Sequence, residues 1–197
     1  MIIYLLKILT TIVLSACLTT DLRAQAVASE NQNLPVSIVK VSSEHDPVFK
    51  NLQLCYEAEF APITTTIMTI NGDYDQQQLA QYWKEKHDLY FFRVNEIPAG
   101  LAVVNYGSFV DLANENVRDI GEFYVTPYFR KKGYGKLFAH ALLKLYPGKW
   151  EIRQLPALEM TARVFWHKVI ATIPHTNFKE DKNCSQWHGS VQSFVIH

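Results

Sequence analysis

The hydrophobic pattern switches between a period of two and a period near four. Val36-Ser37-Ile38-Val39-Lys40-Val41 opens with the alternation of a strand. Asp46 and Pro47 suit the N-cap and first turn of a helix reaching about residue 60, with Leu52, Tyr56 and Phe60 as its apolar stripe. Asp75 caps a second predicted helix over 76–86, where Leu79, Tyr82 and Trp83 share a face. Apolar runs over 89–94 and 99–106 flank Asn95-Glu96-Ile97-Pro98 and predict a hairpin. A strand over 120–126 follows. A helix over 136–146 has Leu137, Phe138, Ala141, Leu142 and Leu145 on one face, and Pro147-Gly148 stops it. A strand over 150–155, a helix over 158–173 and strands near 177–180 and 191–196 complete the chain. There are no internal repeats. The order β-α-α-β-β-β-α-β-α-β-β predicts an α/β (α+β) fold: a mixed sheet with helices on both faces.

Residues 2–18 break this pattern. They are apolar apart from Tyr4, Lys7, Thr10, Thr11 and Ser15, as in a signal peptide or membrane anchor spanning 1–26. Leu14-Ser15-Ala16-Cys17 resembles a lipobox, and Ala24-Gln25-Ala26 fits ordinary cleavage. Small polar residues over 27–35 read as a linker to a domain over 36–197. The expectation is an exported or membrane-anchored protein touching the membrane through 1–18. The alternative is a cytoplasmic protein whose start lies downstream, although the next methionine is Met68.

Composition narrows the chemistry. With 19 Lys+Arg against 19 Asp+Glu, the chain lacks the charge of a nucleic-acid binder. At 48% hydrophobic and 13% aromatic it can build a core. Three cysteines make no disulfide framework and no metal-ligand cluster, so no metal is expected. Pairing of Cys55 with Cys184 stays open.

The charge is neutral overall but not evenly spread. No acidic residue lies between Glu122 and Glu151, whereas Arg130, Lys131, Lys132, Lys136, Lys144 and Lys149 do. Within that stretch, Thr126-Pro127-Tyr128-Phe129-Arg130-Lys131-Lys132-Gly133-Tyr134-Gly135-Lys136 runs from a predicted strand through a basic, glycine-containing turn into a helix. Amides at such a helix start can cradle an anion, helped by the helix dipole. Gly133 and Gly135, lacking Cβ atoms, leave room for a phosphate to approach. Other phosphate loops fail on detail: no glycine stands five before Gly135, Leu137 follows Lys136 where Ser or Thr is required, and Phe138 occupies the last position of GxGxxG. A solvated basic face is the competing reading of charge and glycines alone.

Arg130-Lys131-Lys132-Gly133-Tyr134-Gly135, preceded by Phe123-Tyr124-Val125 and Pro127, resembles the acetyl-CoA motif of the GCN5-related N-acetyltransferases (GNAT superfamily). The likeness continues through 147–155, Ala162, Phe165-Trp166 and Val169-Ile170, in the manner of one bacterial subgroup. It implies a mostly antiparallel central sheet flanked by helices, with the fourth and fifth strands splayed. It also implies an acetyl-CoA-dependent N-acetyltransferase acting on a small-molecule or protein amine by direct attack on the thioester. Backbone groups of Phe123, Tyr124 and Val125 would meet the pantetheine arm. Amides of Lys131, Lys132, Gly133, Tyr134, Gly135 and Lys136 would hold the diphosphate, with Arg130 and Lys131 adding charge. The alternative is a non-catalytic coenzyme A-binding or interaction module, anchored as a lipoprotein.

Glu122, just before the pantetheine segment, is the candidate catalytic residue, as base or as amine binder. Its alternative is a strand carboxylate paired with Arg118 or Arg153. The chain departs from the resemblance at Trp166, where many relatives carry a tyrosine that protonates the leaving thiolate; indole is no acid at neutral pH. Glu159 stands where many have asparagine. Tyr56, Phe60 and Trp83 read as core or as acceptor-site walls, and His140 and His167 as helix packing or surface.

Overall fold

The run Leu89-Tyr90-Phe91-Phe92 lacks polar alternation because both sheet faces above and below it are covered. Leu89 and Phe91 face a helix carrying Phe49, Leu52 and Tyr56. Phe92 stacks on Phe138 of another helix, ring centroids 4.5 Å apart. The computed structural model describes residues 34–42, 46–72, 74, 87–184, 186–187 and 189–197. The expected signal segment with its lipobox, most of the linker, the helix over 76–86 with Trp83, and His188 lie outside these.

The described elements are β1 (Val36–Lys40), α1 (Pro47–Thr64), β2 (Asp88–Val94), β3 (Ile97–Tyr106), β4 (Val117–Val125), α2 (Tyr134–Lys144), β5 (Gly148–Gln154), α3 (Val164–Ile170), β6 (Thr176–Cys184) and β7 (Gly189–Ile196). The strands form one mixed sheet in the order β1-β2-β3-β4-β5-β7-β6. Among the described strands, only β4 and β5 pair in parallel.

Local chemistry explains most boundaries. Asp46 accepts from Val48 N–H and Phe49 N–H at 2.9 Å, and Pro47 stands at the first turn. The helix runs past residue 60, through Pro62, and ends at Thr65 in the left-handed region (φ 56°). The hairpin turn is shorter than expected. Asn95 and Glu96 alone make it, both at positive φ, and Ile97-Pro98 already belong to β3. In α2 the buried residues are Tyr134, Phe138, Ala139, Leu142 and Leu143. Leu137 and Leu145, expected on the apolar face, are each 48% exposed. The single helix expected over 158–173 is instead a 3-10 turn at Pro156–Leu158, a widened turn at Glu159–Arg163 and the short α3. Long-range bonds hold that opening: Gln192 donates to the Arg163 carbonyl, and Arg163 pairs with Glu180. Cys55 and Cys184 are both free, one exposed and one buried.

Gly100 marks the closest approach in the sheet. A Cβ there would lie 2.1 Å from the Tyr124 carbonyl oxygen, and β3 has just passed an irregularity beside Phe92/Arg93. Gly100→Ala is expected to lower stability by roughly 1–3 kcal/mol, as overpacking does. Urea unfolding measures it, and an unchanged midpoint would contradict the geometry.

Candidate active site

The site begins where two strands part. The β4–β5 ladder runs from Val117 opposite Lys149 to Ile120 opposite Ile152 and stops. Beyond it, β4 stays paired with β3 as far as Val125, and β5 stays paired with β7 as far as Gln154. A cleft therefore opens beside residues 121–125. Thr126 N–H bonds the Ala99 carbonyl at 2.9 Å. By the alternation of an antiparallel ladder, the main-chain N–H and C=O of Val125 turn away from β3 and into that cleft.

Past Val125, a 3-10 turn at Pro127–Phe129 leads into the basic loop. Arg130 N–H bonds the Pro127 carbonyl, and main-chain bonds resume at Lys136 and Leu137, both to the Gly133 carbonyl. Between them, nothing among the described residues takes the N–H groups of Lys131, Lys132, Gly133 or Gly135. Lys131 (φ 57°) and Gly133 (φ 87°) are in the left-handed region, which curls the loop and lets successive amides converge at the start of α2. Gly133 is the helix cap and has no side chain to satisfy those amides itself.

These amides border a groove of about 680 Å³. Its apolar wall is Phe123, Val125, Phe165 and Val169, and its cations are Arg130, Lys131, Lys136 and Lys168. An apolar trough ending in a cationic, amide-lined mouth suits a ligand with a lipophilic arm and a polyanionic head. A Cβ on Gly135 would touch Phe165 at 3.5 Å, an ordinary contact, so nothing within the protein demands glycine there. Lys168 had no place in the sequence argument. Its signal was spacing: it follows Phe165 by one helical turn and so shares its face. Lys168→Ala is expected to weaken binding of a polyanionic ligand in this groove a few-fold and flatten its salt dependence, as calorimetry at two salt concentrations would show.

The remaining candidates divide between groove and core. The Tyr134 side chain is buried, edge-on to Phe129, so only its backbone borders the loop. Tyr124 packs into the α1 face, where burial foremost, and Glu59 next, push its phenol above the ordinary pKa. The Lys132 ammonium sits 3.8 Å over the Tyr128 ring. Arg130 borders the groove, with three of its five N–H groups engaged within the protein. Nη1 and Nη2 donate to the two oxygens of Glu59 on α1, at 2.6 and 2.7 Å. Nε donates to the Val125 carbonyl at 2.6 Å. Hydrogen bonding to Glu59 holds the guanidinium above its ordinary pKa. Arg130 therefore ties the loop to α1 and caps one carbonyl of the cleft. His140 bridges α2 to the end of α3 through the Val169 carbonyl and Thr172. Burial, opposed by that carbonyl, pushes its pKa below the ordinary value.

On the other side of Phe123 lies a second cavity of about 250 Å³. Its walls include Tyr56, Glu57 and Phe60 of α1, Glu122 of β4, Arg153 of β5 and Trp166 of α3. Glu122 accepts a hydrogen bond from the Tyr56 hydroxyl. The two expected arginines donate elsewhere. Arg118 donates to the Pro147 carbonyl and lies over the Tyr146 ring. Arg153 donates to both oxygens of buried Asp119, at 2.9 and 2.6 Å. Trp166 is buried edge-on against Phe123, centroids 4.9 Å apart, so it forms the partition where the cavities meet. Among the described residues, no cluster of His, Cys, Asp or Glu could hold a metal ion.

No protein-family model and no curated protein matches the sequence. Solved structures match in shape. An acetyltransferase of the GNAT family from Staphylococcus aureus Mu50 aligns with a TM-score of 0.53 at 10% identity, over 81% of this chain and 98% of that one. The N-acetylglutamate synthase from Neisseria gonorrhoeae, solved with coenzyme A and N-acetyl-glutamate, aligns with a TM-score of 0.50 at 14% identity. That match covers 84% of this chain and 36% of the synthase. Together with the splayed parallel pair in a mixed seven-stranded sheet, these likenesses establish the architecture: the chain has the fold of the GCN5-related N-acetyltransferases.

Proposed function

We propose that the protein is an acetyl-CoA-dependent N-acetyltransferase that transfers an acetyl group to an amine. The observation carrying this reading is the run of amides at Lys131, Lys132, Gly133 and Gly135 that no described residue takes, at the mouth of the cleft beside β4. A fold relative of similar architecture, the gonococcal synthase, was solved with coenzyme A. The groove suits that molecule: its amides and lysines would hold the diphosphate, and Phe123, Val125 and Phe165 would line the pantetheine arm.

Acetyl-CoA supplies an acetyl thioester whose carbonyl carbon can accept an amine. The chain's own residues supply the rest. Glu122 takes a proton from the incoming ammonium, directly or through one water, freeing the nitrogen lone pair. The Tyr56 hydroxyl, donating to Glu122, fixes the orientation of that carboxylate. The Val125 N–H, turned into the cleft, is positioned to stabilise negative charge developing on the carbonyl oxygen. Phe123 and Trp166 exclude water between the cavities. In balance, one N–H proton goes to Glu122, and a second, lost as the N–C bond forms, goes to the sulfur, which departs as a thiol when the C–S bond breaks.

Calorimetric titration of coenzyme A into the protein tests the reading. Binding that weakens as salt rises is expected. A heatless titration, confirmed by equilibrium dialysis, would overturn it.

A further inference from the structure

The wall of the cavity beside Glu122 holds a guanidinium that is fixed from behind. Arg153 of β5 lines the cavity, as does Trp187, whose ring lies 4.3 Å from the Arg153 guanidinium carbon. The ring of Phe109 packs against the same group at 3.9 Å. Nε and Nη2 donate to the two oxygens of Asp119 at 2.9 and 2.6 Å. Asn105 Nδ2 gives Asp119 a third hydrogen bond at 3.1 Å. Asp119 is fully buried and is not among the described lining of the cavity. Its bonds therefore hold the guanidinium in one orientation, with the edge that carries Nε turned into the protein.

Asp119 balances the charge of Arg153 but takes only two of its five N–H groups. No described residue takes the N–H groups of Nη1. Other side-chain donors of the described lining are spent. Trp187 Nε1 donates to the Gln154 carbonyl, and Gln154 Nε2 to the Ile152 carbonyl. The Thr64 hydroxyl donates to the Phe60 carbonyl, and the Tyr56 hydroxyl to Glu122. Arg153 is thus the side chain of that lining with donors left to offer. A planar guanidinium with an edge to spare matches a carboxylate, which accepts two parallel N–H bonds. The Arg153 side chain is 11% exposed, so a ligand oxygen arriving there meets little competition from water.

We propose that the acceptor is a short amino acid, whose carboxylate meets the remaining N–H groups of Arg153 while its amine meets Glu122. The β4–β5 ladder stops at Ile120 opposite Ile152, so Glu122 and Arg153 stand on neighbouring strands, just beyond the last rung. Both line one cavity of about 250 Å³, below the usual range for drug-sized ligands, so the acceptor is short. This rests on the transferase reading, and its test separates the two.

The measurement pairs glycine, 3-aminopropanoate, 4-aminobutanoate and 5-aminopentanoate each with its own primary amide, which keeps the length and removes the charge. In at least one pair, thiol release with acetyl-CoA should give the acid a kcat/KM about tenfold or more above the amide, through a lower KM. Arg153→Lys keeps a cation for Asp119 but removes the planar edge. It should shrink that ratio by about threefold or more, while circular dichroism and coenzyme A affinity stay unaltered. Acids taken no better than their amides at every length would overturn the inference, as would a ratio that Arg153→Lys does not move. Should Arg153→Lys fail to fold, the comparison of acids with amides on the unaltered protein decides alone. Calorimetry of the same pairs, without acetyl-CoA, reads the preference independently of turnover. Failure of coenzyme A to bind, with the acid preference intact, would sink the transferase reading alone. Acetyl transfer to the amides as readily as to the acids would sink the acceptor proposal alone.

Discussion

Valine at position 133 is expected to weaken coenzyme A binding by about a hundredfold or more while the domain stays folded. Gly133 holds φ at 87°, a conformation a β-branched residue reaches only under strain. A Cβ at this point would meet no atom within 4 Å, so crowding is not the cause. The backbone would relieve itself by leaving the left-handed region, turning the amides of Lys131, Lys132 and Gly135 out of convergence. A hydrogen bond to a charged group contributes roughly 1.5–3 kcal/mol, so misaligning one or two loses about 3 kcal/mol, near a hundredfold in affinity. Gly133→Asn is the control, because asparagine tolerates the left-handed region and should keep most of the binding. Circular dichroism confirms folding and calorimetry reads affinity. Valine binding as tightly as glycine would show that the loop amides hold nothing.

Glu122→Gln carries the second large effect. If Glu122 receives the ammonium proton, its amide cannot, and kcat should fall by roughly 10²–10⁴. Glu122 lies on the acceptor side of Phe123, so coenzyme A affinity should stay within about twofold. The direction of the Tyr56 hydrogen bond sharpens the expectation. Tyr56→Phe removes an orienting donor but leaves the carboxylate, so it should cost much less than Glu122→Gln. Steady-state kinetics at saturating acetyl-CoA decide the matter. An unaltered kcat in Glu122→Gln would remove Glu122 as the base.

Much of the site was legible because its determinants are local. The strand-turn-helix passage from Phe123 to Lys136 is contiguous, and its glycine, its cations and its lack of acids say what the backbone there can bind. The side chains beside it were less legible. Arg130 sits in the expected motif and reads as a phosphate ligand, yet its guanidinium is engaged by Glu59, 71 residues away in sequence. Nothing near Arg130 in the chain announces that partner. Glu122 was identifiable by position, but its hydroxyl donor lies 66 residues earlier, on α1. Lys168 was legible only through its one-turn spacing from Phe165, whose ring turns toward Gly135.

By itself, the amino-acid sequence determined most of the described strands and helices, the cap at Asp46 and the glycine turn at Gly133. Each depends on residues a few positions apart, where backbone dihedrals and short-range hydrogen bonds dominate. Tertiary structure alone decided which charges were used up and which remained. Asp119 neutralises Arg153, Glu59 occupies Arg130, and Gln192 and Glu180 hold open the widened turn before α3. Electrostatic pairing acts through space over a few ångströms, whatever the separation along the chain. The lining of the cavity beside Glu122 therefore comes together only when α1, β4 and β5 meet.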